Sequence, residues 1–160
     1  MRAAKTFAAW FALGGLYLAL EGIWRGGWTH IAMLPIGGLC GLCVGAVNQI
    51  PRFYKSRMIW QAVLGALIIT AIEFVSGCVV NLWLGLAVWD YTDRPLNVLG
   101  QICLPYTLLW VALTPFAIWC EDTLQWLLWA WDWLSGRKPV YPEIAPYSLK
   151  SIYWELITLR

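Results

Sequence analysis

A carboxylate stands inside an apolar run. Glu73 interrupts the stretch from Leu67 to Val80, and at the centre of a membrane span such a group costs roughly 2.5 kcal/mol or more unless it is paired, hydrated or protonated. Two kinds of chemistry answer that cost. The carboxylate binds a proton, a cation or the cationic group of a ligand, or it hydrogen-bonds within the protein through Asn81, Thr70 or a donor on another helix. Gly77 and Asn81 follow at i+4 and i+8, so helical periodicity places both on the face of Glu73.

The remaining charges fall in groups. Glu21, Arg25 and His30 surround one break between apolar runs, and Asp90, Asp93 and Arg94 occupy another. If the two breaks lie at the same end of a bundle, they form a mixed-charge vestibule. The plainer reading is separately solvated loop charges, which the sequence favours because exposed ion pairs are common and weak. His30, beside a tryptophan-rich interface, reads as a structural hydrogen-bonding group.

Catalytic constellations are missing from the pattern. Ser76, Thr107 and Thr114 lie in apolar runs with no histidine at helical spacing to activate them, so the sequence does not point to an enzyme. No nucleotide-binding motif occurs, and any ATP-driven role requires a separate subunit. Cys40-Gly-Leu-Cys43 has redox or metal spacing, but no second pair accompanies it. All five cysteines sit in or beside apolar stretches and read as small apolar filler, with no metal or cofactor expected.

These residues need a lipid-embedded scaffold. The chain is 61% apolar and 12% charged, with a mean hydropathy of +0.63, whereas soluble domains are roughly half apolar and a quarter charged. Its 160 residues divide into runs near the ~20 residues that cross a ~30 Å hydrocarbon core. The first runs from about Lys5 to Leu20, extending toward Trp24. The second covers Trp28 to Ile50, the third Met58 to Gly77 or a little beyond, and the fourth Gly100 to Trp119. Pro105 and Pro115 predict kinks in the fourth, where freed backbone groups need internal partners. Gly37, Gly41 and Gly45 form a stripe along the second run, suited to close helix packing within the chain or between copies.

From Glu121 to Leu134 the sequence is apolar with helical period, and Glu121, Gln125 and Asp132 fall near one face. It is expected to be an interfacial tryptophan-rich helix, or a water-exposed continuation of the fourth span, rather than a fifth crossing. Beyond it, Pro139, Pro142 and Pro146 precede a short amphipathic segment around Ile152 to Leu159. Arg2 and Lys5, then Arg52, Lys55 and Arg57, then the basic residues of the tail alternate with poorer segments. The positive-inside rule therefore places both termini and the 51–57 loop in the cytoplasm. Thirteen tryptophans, many near the ends of apolar runs, suit the headgroup level. A net charge of +2, carried in short clusters between the runs, gives no reason to expect nucleic acid.

Several short motifs occur together: Glu73-Phe-Val-Ser-Gly-Cys-Val-Val-Asn81, Val88-Trp-Asp-Tyr91, Pro95-Leu-Asn97 and Gly100-Gln-Ile-Cys-Leu-Pro-Tyr-Thr-Leu-Leu-Trp110. With Glu21 and the Pro35-Ile-Gly-Gly region, this combination resembles a bacterial membrane family catalogued as ABC-transporter type IV permeases, over roughly residues 15 to 120. The resemblance implies a small multi-spanning inner-membrane protein with a permease role. It marks Glu21, Glu73, Gly77, Asn81, Trp89, Asp90, Tyr91, Asn97, Gly100 and Cys103 as motif positions.

The expected fold is an all-α, polytopic membrane helix bundle. It has four transmembrane helices in residues 1–120, an interfacial helix at 121–136 and a cytoplasmic, membrane-associated tail at 137–160. The candidate substrate- or ion-binding residues are Glu73, Asn81, Glu21, Asp90, Tyr91 and Asn97, and the candidate packing positions are Gly37, Gly41, Gly45 and Gly77. The expected role is a small transporter or permease component. A homo-oligomeric channel and a non-transporting scaffold are the alternatives, with the lipid bilayer and either further copies or a membrane or ATPase subunit as partners.

Overall fold

The computed structural model describes residues 2–48, 50, 56–134 and 149–158. Most of the basic 51–57 loop, and the tail with Pro139, Pro142 and Pro146, lie outside the described residues.

Helix α1 spans Arg2–Arg25. It ends where Gly26 adopts φ +68°, and Gly27 N–H then donates to Gly22 C=O at 3.0 Å while Gly26 N–H donates to Ile23 C=O at 3.1 Å. This pair of bonds satisfies the last carbonyls of the helix, and glycine supplies the left-handed residue without a Cβ clash. Helix α2, Met33–Asn48, starts five residues later than the apolar run suggests. His30 forms a turn instead, its Nδ1 accepting Ala32 N–H at 3.1 Å and its C=O accepting Met33 N–H at 2.9 Å. Pro35 thus falls in the first helical turn, where its missing N–H costs nothing.

Helix α3, Met58–Gly77, keeps the expected limits and then loosens into a π-helical turn, Cys78–Trp83. The fourth apolar run is corrected at its start. Residues 97–103 form a small antiparallel hairpin, β1 (Asn97–Val98) with β2 (Ile102–Cys103), because Leu99 and Gly100 both turn left-handed and Gln101 N–H closes back on Val98 C=O at 3.0 Å. Helix α4 begins only at Leu104 and runs unbroken to Leu134, so residues 121–134 continue it rather than forming a separate element. Pro105 sits in its first turn, and only Pro115 is interior. Around Pro115, hydroxyls serve nearby carbonyls: Thr114 Oγ1 donates to Trp110 C=O at 2.7 Å and Tyr153 Oη to Ala112 C=O at 2.9 Å. Tyr153 belongs to α5, Leu149–Thr158, which packs on α4 and α3.

Three helical segments, Ala3–Arg25, Met58–Trp83 and Leu104–Leu128, are long and apolar enough to cross a membrane, and Met33–Val47 is a shorter apolar helix. The chain reads as a membrane protein on that ground. Large apolar side chains such as Phe7, Phe11, Leu67 and Leu108 point outward, while Glu73, Gln101, Thr114 and Glu121 are buried. Helices α1 and α2 pack as one pair and α3 and α4 as another, with α2 bridging to both α3 and α4. Small residues bring them close. A Cβ on Gly37 or Gly41 would strike Tyr17 or Leu13 of α1, one on Gly45 would strike Glu121 of α4, and one on Gly65 would strike Thr114 of α4. The glycine stripe of α2 therefore faces neighbours within the chain.

Candidate functional site

Glu73 is 5% exposed. Trp110, one helix away on α4, donates its indole N–H to Glu73 Oε2 at 2.7 Å, so the carboxylate joins α3 to α4. The bond reaches neither Asn81 nor Thr70. Thr70 Oγ1 donates instead to Thr107 Oγ1 at 3.2 Å, and Thr107 Oγ1 in turn to Cys103 C=O at 3.1 Å. Tyr17 of α1 packs its ring beside Trp110, with centroids 6.0 Å apart.

Trp110 and Tyr17 also form the floor of a cavity of about 510 Å³. Its walls come from the C-terminal end of α1, from the segment between α3 and α4, and from the first turns of α4. Glu21, Arg25, Asp90 and Arg94 all line it, so the two charged breaks meet at one end of the bundle. Arg25 Nε lies 2.6 Å from Glu21 Oε1, one turn back, and Arg25 also donates to Val88 C=O at 3.3 Å. That second bond ties α1 to the loop segment. His30 and Asp93 are exposed and do not line the cavity.

Asn81, on the π-helical turn, fixes the loop segment from below. Its Nδ2 donates to Gln101 Oε1 at 2.8 Å and its Oδ1 accepts Val88 N–H at 2.7 Å. Gln101 Nε2 donates to Leu99 C=O at 2.8 Å, and Trp89 Nε1 donates to Gln101 C=O at 2.9 Å. Gly77 leaves room for this group, since a Cβ there would meet Gln101 and Trp89. Asn97 does similar work nearer the tip, donating to Thr92 and Arg94 C=O, both at 2.9 Å, and accepting Gly100 N–H at 3.1 Å. Asn81 and Asn97 thus shape the cavity wall and are not among the residues that line it. Tyr91 does line it, stacked on Tyr106 with ring centroids 4.7 Å apart, and burial pushes its hydroxyl well above the ordinary value.

Asp90 closes a short turn. Its Oδ1 accepts both the Thr92 hydroxyl, at 2.5 Å, and Thr92 N–H, at 2.8 Å, which holds the carboxyl below its ordinary value of 3.8. A carboxyl whose value is lowered by folding contributes order that is present above 3.8 and lost as pH falls through the depressed value. Exchange protection of the Thr92 amide is therefore expected to fall on acidification below that point, and Asp90→Asn to flatten the dependence. A protection factor independent of pH in the unaltered chain would contradict this.

A second buried carboxylate lies toward the other end. Glu121 is 1% exposed, seated against Gly45, with Oε1 accepting Gln125 Nε2 at 2.8 Å. Its Oε2 has no hydrogen-bond partner among the described residues. The amphipathic pattern assigned Glu121 to a polar outer face. The structure corrects this, because α4 runs on past Trp119 and turns Glu121 inward against α2. Tyr17, Trp110 and Gln101 are further residues that sequence reasoning did not single out. One signal was available for Trp110: it stands inside an apolar run, where an indole N–H needs a partner. Among the described residues no group of His, Cys, Asp or Glu side chains is placed to hold a metal ion.

A family model described as "Putative ABC-transporter type IV" matches residues 17–135. The match covers the whole cavity and its floor and continues past Trp119, to the end of α4. No curated protein and no solved structure matches the chain.

Proposed function

The chain belongs to this ABC-transporter type IV family, and from that membership we propose that it is a permease component. In this reading the cavity receives a small solute or ion, and Glu73 takes up the proton or cation that accompanies it. The observation that carries the reading is the stacking of parts. A charged, roomy cavity sits directly over Trp110, and the indole of Trp110 is the hydrogen-bond donor to a buried carboxylate. A purely structural glutamate has no need of a cavity above its partner. The alternation of Lys and Arg supports four crossings, with α2 as the fourth, in a bacterial inner membrane, both termini cytoplasmic and the cavity mouth outside. At 31 residues, α4 is about 46 Å long, so its last turns extend beyond the hydrocarbon core toward the cytoplasmic headgroups. Energy from ATP would come from a separate subunit, with further copies of the chain as the other partner to test.

The test is proton flux into proteoliposomes that carry a trapped pH-sensitive dye, under an imposed potassium diffusion potential. The unaltered protein is expected to acidify the lumen. Glu73→Gln keeps a hydrogen-bond acceptor for Trp110 but removes the ionisable group, and is expected to lower the rate about a hundredfold, within the span seen for losing a positioned acid–base group. Equal rates in the two proteins would reduce Glu73 to a packing residue and favour the scaffold reading.

A further inference from the structure

The cavity does not end at Trp110. A second, smaller cavity of about 100 Å³ continues along the seam between α1 and α4, and Tyr17, Leu20, Trp110 and Leu113 line both. Together they make one trough. Its deep half is bounded by Leu13, Leu16, Phe116 and Ala117, with no charged side chain. Helix α1 packs mainly on α2 and α4 mainly on α3, which leaves the seam open on the outer surface of the bundle. Leu16, Leu20 and Leu113 form its rim and are 38%, 44% and 38% exposed. Within the bilayer this opening faces acyl chains, not water.

The wide half is different in kind. Two acids, Glu21 and Asp90, and two bases, Arg25 and Arg94, line it, so its charge is balanced. The Glu21 and Asp90 carboxylates each engage one oxygen, leaving Glu21 Oε2 and Asp90 Oδ2 without partners among the described residues. The Arg94 guanidinium makes no hydrogen bond among them either. Trp24 and the Tyr91–Tyr106 stack add π-faces, which attract ammonium groups.

We propose that this trough binds one zwitterionic phospholipid-type amphiphile, its phosphate on Arg94, its amine between the acids and the aromatic faces, and one acyl chain along the deep half. Charge-assisted contacts at one end and apolar burial at the other suit a molecule with those two parts, and the free oxygens of Glu21 and Asp90 favour a head group that carries an amine. The proposal names the ligand class of the cavity and so rests on the cavity being a binding site.

Native mass spectrometry tests it on the whole protein released from nanodiscs of equal phosphatidylethanolamine and phosphatidylglycerol with matched chains. Retention of the ethanolamine lipid over the glycerol lipid is expected at about tenfold, the worth of one charge-assisted contact. Arg94→Gln, at an exposed side chain with no partner to lose, removes the phosphate contact that both lipids share and is expected to lower retention of both about tenfold. Glu21→Gln combined with Asp90→Asn keeps an acceptor for Arg25 and for Thr92, takes away the charges that face the amine, and is expected to remove the preference. Leu113→Trp, which fills the rim, is expected to lower retention of both lipids about tenfold. The thermal midpoint of each variant is read alongside, and if Leu113→Trp does not fold, the charge variants decide. Equal retention of the two lipids by the unaltered protein, a preference that survives the loss of both acids, or retention unmoved by Arg94→Gln, overturns the proposal. Any of these results alongside Glu73-dependent proton flux would leave the permease reading standing.

Discussion

Gly14→Ala is expected to push α1 away from α2 and to cost about 3 kcal/mol of stability, the upper part of the range for forcing extra volume into a packed interior. Gly15→Ala, one residue on, is expected to leave the fold unchanged or to stabilise it by up to about 1 kcal/mol through helix propensity. The contrast comes from what each Cβ would meet. On Gly14 it would fall on the carbonyl oxygen of Leu34, with Gly38 N another 3.2 Å away. Both are backbone atoms of a neighbouring helix, which no rotamer change moves aside. On Gly15 there is nothing within 4 Å. Unfolding midpoints in a detergent–SDS titration would read both variants, and similar midpoints would show that α1 and α2 are not held at this distance. The separation matters to the trough, because Leu13 and Tyr17, one residue before and three after Gly14, line it.

Gly14 also marks where the sequence stops being legible. A stripe such as Gly37, Gly41 and Gly45 announces itself by spacing. Close approach of two helices requires only one small residue on the opposing side, however, and Gly14 has no periodic companion to mark it. The limits of α3 were readable because Arg57 and the charges around it end one apolar run and begin the next. The start of α4 was not, since Gly100-Gln-Ile-Cys-Leu-Pro is nearly as apolar as the helix that follows. What separates them is the left-handed backbone at Leu99 and Gly100, and leucine is a residue that gives no sign of adopting it.

The candidate site was legible in its charged members and not in its geometry. Glu73 stands out because lipid penalises it, and Asp90 and Arg94 stand out because they break an apolar run. Nothing in the spacing told that the donor to Glu73 would be Trp110 on the next helix, thirty-seven residues away. Tryptophan has two uses in a membrane, as a headgroup anchor and as a buried N–H donor, and thirteen of them make the first use the default reading. Glu121 was hidden for the converse reason. Its pattern with Gln125 and Asp132 is that of a surface helix, and only the packing of α4 against Gly45 makes its face an interior one.

Asn81→Leu is expected to detach the segment between α3 and α4 while leaving the helices paired. The substitution is close to isosteric, so the change is chiefly in hydrogen bonding. It strands Val88 N–H and Gln101 Oε1, whose partners are the two ends of the Asn81 amide. Gln101 is 3% exposed, and each stranded group costs about 1–3 kcal/mol, for a loss of about 3 kcal/mol confined to this segment. The joint between α3 and α4 does not pass through Asn81, because Trp110 holds Glu73 directly. Amide exchange should therefore rise from Val88 through Cys103 and stay low in α3 and α4. Asn81→Asp retains the acceptor for Val88 N–H and loses the donor to Gln101, so its effect should be intermediate. Since Asp90, Tyr91 and Arg94 reach the cavity only from this segment, ligand retention should fall with protection, Asn81→Leu more than Asn81→Asp. Uniform destabilisation of every helix by Asn81→Leu would instead make Asn81 part of the bundle's common packing, and the loop segment would not be a separable wall of the site.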